Sequence, residues 1–138
     1  MTIRYHLPDD ILLLYAAGNL AEGWSLAVAT HTALCPDCRG REARFAAIGG
    51  KALEGVGPVA MADGALAACF AMIDQGEEAQ PRLAPVLDGT PILPEPLRTY
   101  VGGDAASVRW SPVGGGIRQH RIPVSGVANA RLLYIPGG

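Results

Sequence analysis

Two thiols and an imidazole fall within the eight residues from His31 to Cys38. Cysteine and histidine are the ligands of structural zinc, which takes four of them in a tetrahedron. The Cys35-x-x-Cys38 spacing lets both thiolates reach one ion across the start of a helix. His31 lies one turn before Cys35, on the same helix face. Three ligands therefore converge, and a fourth must come from elsewhere. His6 is the expected fourth, because the start of a first helix can lie beside the end of the second. The other candidates are weaker. Cys69 sits mid-helix beside Ala67, Ala68 and Phe70 and reads as a small buried apolar side chain. His120 belongs to a strand-like region, and Asp37 is expected to point outward. With His6 the shell is closed and the zinc structural. With water in the fourth place it would be catalytic.

Two other readings of the same residues stand beside this one. A lone Cys-x-x-Cys can be a thioredoxin-like dithiol, but that motif starts a helix after a strand, whereas here a helix precedes it. The residues can also simply pack. The energetics favour zinc. A few short helices in about 75 residues make a marginal core, and a structural zinc supplies on the order of 10–16 kcal/mol of apparent binding free energy to folding.

The elements that must carry these residues are helical. "LPDDILLLYAAGNL" has Pro8 at a helix start, Asp9 and Asp10 in the first turn and Gly18 as a stop. "AEGWSLAVATHTALC" predicts a second helix ending near Pro36. "PDCRGREARFAAIGG" predicts a third, closed by Gly49-Gly50. A Gly-rich loop leads to a fourth helix near residues 64–75, with Asp63 as its expected N-cap. On that helix Leu66, Phe70 and Ile73 share one face.

Residues 76–97 hold five of the eleven prolines and read as a linker. Beyond it come three strand-like runs, "SVRW", "GIRQHRI" and "ARLLYI", separated by "SPVGGG" and "PVSGVAN". The predicted fold class is α+β. A zinc-bound helical bundle spans residues 1–80, a Pro-rich linker 81–97, and an incomplete antiparallel β segment 98–138. So few strands close no barrel, and their edges are open.

Composition narrows the function classes. The chain has 138 residues with 49% hydrophobic and 17% charged content, which fits a folded chain and excludes a charged disordered tail. Residues 1–80 carry a balance of −5 and residues 81–138 one of +3. The acidic half repels nucleic acid and suits a basic partner. No apolar run reaches the roughly 18 residues of a membrane span. No signal-peptide pattern opens the chain, so a cytoplasmic location and reduced thiols are expected. No nucleophile–base pair, paired-carboxylate cleft or phosphate loop is present, and no enzymatic activity is expected.

The arrangement His6 … His31-x3-Cys35-x2-Cys38, with "YAAGNL" between, resembles the zinc-binding anti-sigma domain. The blocks "LLLYAAGNL", "SLAVATHTALCPDCR", "YVGG", "VRWSPVGGGIRQ" and "ARLLYIPGG" extend the resemblance to ChrR-type anti-sigma factors over nearly the whole chain. That resemblance implies zinc at His6, His31, Cys35 and Cys38. It implies an N-terminal domain that binds an extracytoplasmic-function (ECF) sigma factor, in a 1:1 complex, and keeps it from core RNA polymerase. Release follows a stress signal, which for this type is singlet oxygen and related oxidants. It further implies a C-terminal cupin whose metal ligands would follow Gly138, so a truncated cupin-like segment and incomplete sensing are expected here. Two alternatives accompany this reading: a metal-dependent cupin enzyme, and a zinc–dithiol redox sensor acting through Cys35 and Cys38. Helix 1 supports a binding role, since Ile11, Leu12, Leu13, Leu14 and Tyr15 are apolar on nearly all sides.

Overall fold

The computed structural model describes residues 3–76, 90–126 and 128–137. The element order is α1 (Asp9–Ala16), α2 (Glu22–Leu34), α3 (Pro36–Glu54), α4 (Ala65–Asp74) and α5 (Glu95–Val101), then a 3₁₀ turn at Ala105–Ser107. β1 (Ser111–Gly114), β2 (Ile117–Ile122) and β3 (Ala130–Tyr134) follow. The α+β expectation holds.

Asp9 and Asp10 occupy the first turn of α1, where carboxylates favour the positive helix end. The helix closes at Gly18, whose φ is +70°, with the Asn19 amide donating to the Leu14 carbonyl at 2.8 Å. Pro36 then sets the corner between α2 and α3. A residue before proline is pushed out of helical geometry, and Cys35 is extended (φ −108°, ψ 103°). The same proline is accepted as the first residue of α3, where its missing N–H costs nothing.

Leu12, Val28, Cys35 and Cys38 form the buried cluster, with Ile3, Leu7, Ile11, Tyr15, Leu20 and Phe45 packed around it. Burying a side chain such as Leu12 or Val28 contributes about 1.5–3 kcal/mol. α1 packs chiefly on α3 and less on α2. The apolar girdle of α1 is thereby divided: Leu12 is fully buried, while Leu13 and Leu14 stay exposed.

Three expectations for the helices are corrected. α3 runs through Gly49-Gly50 to Glu54. An interior glycine costs only about 1 kcal/mol, and the flanking Ala46, Ala47, Lys51 and Ala52 are good helix formers. α4 begins at Ala65 behind Gly64 (φ +79°), with no side-chain cap from Asp63. None of its residues is buried, and Cys69 on it is exposed, not a core residue. The expected linker lies largely at 77–89, outside the described residues; its end, 95–97, is the first turn of α5.

The sheet has the order β1-β2-β3 and is antiparallel throughout. "SVRW" is no strand; the pairing segment is the next one, Ser111–Gly114. The cause is the turn. Gly114 pairs with Ile117, so Gly115 and Gly116 form a two-residue hairpin loop with φ of +58° and +78°. Two positive φ values make the turn type that matches strand twist, and only glycine-like residues accept it readily. The strand must therefore abut the glycines. Pro112 is tolerated because β1 is an edge strand.

α5 packs on α2. Asp104 ties the approach to α5, accepting from the amides of Ile92 (2.9 Å) and Leu93 (2.7 Å). Those bonds hold its carboxyl below the usual range. A cleft of about 630 Å³ lies between α2 and the sheet, lined in part by Trp24, Leu26, Leu97, Ile122 and Leu132. α2 thus serves two neighbours, the thiol cluster on one face and the strand region on the other. Among the described residues no helix is long and apolar enough to cross a membrane.

Candidate metal centre

Cys35 ends α2 and precedes α3. Its amide donates to the His31 carbonyl at 2.8 Å, and its Sγ accepts from the Cys38 amide at 3.5 Å. That thiol therefore acts as the N-cap of α3. Cys38 lies in the first turn of α3, and both sulfurs face the core at 1% and 0% exposure. His31, one turn back on α2, brings Nε2 to 3.3 Å from Cys38 Sγ.

His6 comes from the extended chain before α1. Its Nδ1 lies 3.3 Å from Cys35 Sγ and 3.6 Å from Cys38 Sγ. The ligand atoms of His6, His31, Cys35 and Cys38 all lie within 4.8 Å of one another. All four residues singled out from the sequence are brought together. With metal bonds of about 2.3 Å to sulfur and 2.0–2.1 Å to nitrogen, a tetrahedron has edges of about 3.4–3.8 Å. The observed nitrogen–sulfur separations, 3.3–3.6 Å, fit that figure. The set can hold a metal ion, and its donors are the soft thiolates and imidazoles that suit zinc.

Burial pushes the Cys38 thiol above its ordinary value, while the Leu7 amide, donating to its Sγ at 3.4 Å, and the Arg41 charge act the other way. Binding a metal ion requires the thiolate and overrides that burial cost.

The remaining candidates are elsewhere. His120 Nδ1 is 2.9 Å from the Arg109 carbonyl oxygen, in the sheet. Cys69 is on the exposed α4. Asp37 is exposed, yet its Oδ2 lies 4.0 Å from His6 Nε2, the nitrogen turned away from the thiols. At that distance the two groups are near each other but beyond direct hydrogen-bond reach. Sequence reasoning missed this contact, and also Arg41. Arg41 is three residues after Cys38 on α3, on the same helix face, and that spacing was the available signal.

No family model matches the chain. It is similar to the anti-sigma-E factor ChrR of Cereibacter sphaeroides, with 47% identity over all 138 of its residues. The chain spans 63% of the length of that curated relative. It is also similar to a chain in the crystal structure of Rhodobacter sphaeroides SigE in complex with the anti-sigma ChrR. There the identity is 45%, the TM-score 0.81, and the coverage 99% of this chain and 72% of the other. That likeness in sequence and fold includes the helices that assemble the four-ligand cluster: the chain belongs to the family of ChrR-type anti-sigma factors.

Proposed function

We propose that this chain is a cytoplasmic anti-sigma factor that holds an ECF sigma factor away from core RNA polymerase. The observation that carries the reading is the likeness, over 99% of the chain, to a chain of the SigE–ChrR complex. In this reading residues 1–80 bind the sigma factor, one zinc ion held by His6, His31, Cys35 and Cys38 shapes that domain, and residues 98–138 form cupin-like strands beyond the 81–97 linker. The zinc pins the corner between α2 and α3 to the start of α1 and offers no open position for catalysis.

Several features support a docking role. Leu13 and Leu14 on α1, and Leu66, Phe70 and Ile73 on α4, are exposed at 40–68%. Contiguous exposed apolar residues are a mark of a partner site. The −5 balance of residues 1–80 suits the basic surfaces of a DNA-binding partner and speeds the encounter. Inhibition is by occlusion, and release follows an oxidant signal such as singlet oxygen.

The test is co-expression with each ECF sigma factor of the source organism in turn. A 1:1 complex with one of them, containing one zinc, with no binding of that sigma factor to core polymerase, is the expected result. Free association of every one of them with core in the presence of excess chain overturns the reading.

A further inference from the structure

His31, Cys35 and Cys38 belong to one helix–corner–helix, so chain geometry alone holds them in place. His6 has no such support. It sits on extended chain ahead of α1, and its own side chain is exposed. Something must hold that strand of chain against the thiols.

Arg41 is placed to do it. Its Nη1 donates to the Leu7 carbonyl at 3.0 Å, its Nε donates to Asp9 Oδ1 at 3.0 Å, and its Nη2 donates to the same Asp9 oxygen. Leu7 and Asp9 flank Pro8, the N-cap of α1, and Leu7 directly follows His6. The Leu7 amide completes the attachment by donating to Cys38 Sγ. One planar guanidinium thus spans a backbone carbonyl and a carboxylate at once, a geometry lysine cannot reproduce. Its root on α3 lies next to Cys38, close enough for each charge to act on the other.

We propose that Arg41 is the positioning residue of the metal centre: through Leu7 and Asp9 it delivers His6 to the cluster and so completes the shell. The proposal rests on the zinc reading above. It differs from a general brace between α1 and α3 in one respect: its effect on metal affinity must pass through His6. Partners outside the ligand shell are worth about 10–100-fold in metal affinity, and that is the size of effect expected.

The experiment uses the full chain, titrated with zinc against a chromophoric chelator and, separately, with cobalt(II) as a spectroscopic probe. Arg41→Gln is expected to weaken zinc by about 10–100-fold. Its cobalt bands are expected to move toward those of His6→Ala, in which one nitrogen ligand is lost. In the His6→Ala background, Arg41→Gln is expected to cost nothing further. Asp9→Asn keeps the Leu7 bond and is expected to lose less, which guards against a folding failure of the arginine variant. Wild-type affinity and an unchanged cobalt spectrum in Arg41→Gln overturn the proposal, as does an equal loss in the His6→Ala background. Failure of the zinc reading itself is distinguishable, because it shows in the unmutated protein, which would then bind neither metal tightly.

Discussion

The Tyr100 hydroxyl donates to Glu22 Oε1 across 2.6 Å, and the other oxygen of that carboxylate accepts from the Ser125 amide at 2.5 Å. One side chain at the start of α2 therefore holds both α5 and the β2–β3 loop. Beside it a Cβ on Gly23 would lie 3.1 Å from the Ala128 Cβ, so the loop sits against bare backbone. The strand region is docked on the same helix that supplies His31.

Glu22→Gln replaces one acceptor by a donor that faces another donor. Amide exchange in residues 95–101 and 117–134 is expected to accelerate, with residues 9–54 unchanged. Gly23→Leu is expected to do the same by steric exclusion. Exchange measured by mass spectrometry checks this, and unaltered protection in both variants would show that the sheet docks without α2's first turn.

The hydrogen bonds from Ser125 and Tyr100 lower the Glu22 carboxyl from 4.5 to about 2. A group depressed on folding adds stability that is present above its unfolded value and is lost as pH falls through its folded value. Docking of the strand region is therefore expected to hold at pH 5 and above and to weaken between about pH 4.5 and 2. NMR signals of residues 117–134 followed through an acid titration check the window, and Glu22→Gln is expected to flatten the response there.

Removing the metal tests coupling between the centre and the core. Cys35 and Cys38 belong to the same buried cluster as Leu12 and Val28. A strong chelator, or Cys38→Ser, is expected to unfold most of residues 3–54, since structural zinc contributes on the order of 10 kcal/mol to small domains. Far-UV circular dichroism with and without chelator reads it. A helical signal that survives metal removal intact would uncouple the two.

Leu12→Ala and Phe70→Ala separate stability from binding. Leu12 is fully buried, and its truncation is expected to cost about 2–5 kcal/mol. Phe70 is 56% exposed on α4, and its truncation is expected to change stability by less than about 0.5 kcal/mol while weakening sigma-factor binding. Thermal melts and a binding titration on each variant decide the matter.

Much of the centre was legible beforehand because it is local. His31, Cys35 and Cys38 are related by helix periodicity and by a proline whose backbone effect is fixed, so their convergence follows from spacing. The place of His6 depends on which helix ends meet, and it lies beside the thiols although α1 leans mainly on α3. The strands were harder. "SVRW" has the better strand composition, yet the glycine pair that follows decides which residues pair, and turn geometry outweighs propensity there. The end of α3 was misplaced for the converse reason, since two glycines weaken a helix without ending it. Cys69 has apolar neighbours in sequence, but among the described residues none on that helix is buried.

By itself the sequence determined the first four helices, the α+β class and the convergence of His31, Cys35 and Cys38, because periodicity, proline and the Cys-x-x-Cys spacing act over one or two turns. Tertiary structure alone decided the rest. That His6 lies against the thiols, that Arg41 binds Leu7 and Asp9, and that Glu22 clamps Tyr100 and Ser125 are contacts between residues far apart in the chain. Such contacts depend on how the elements pack, and no local pattern encodes which side chains then fall within hydrogen-bond distance.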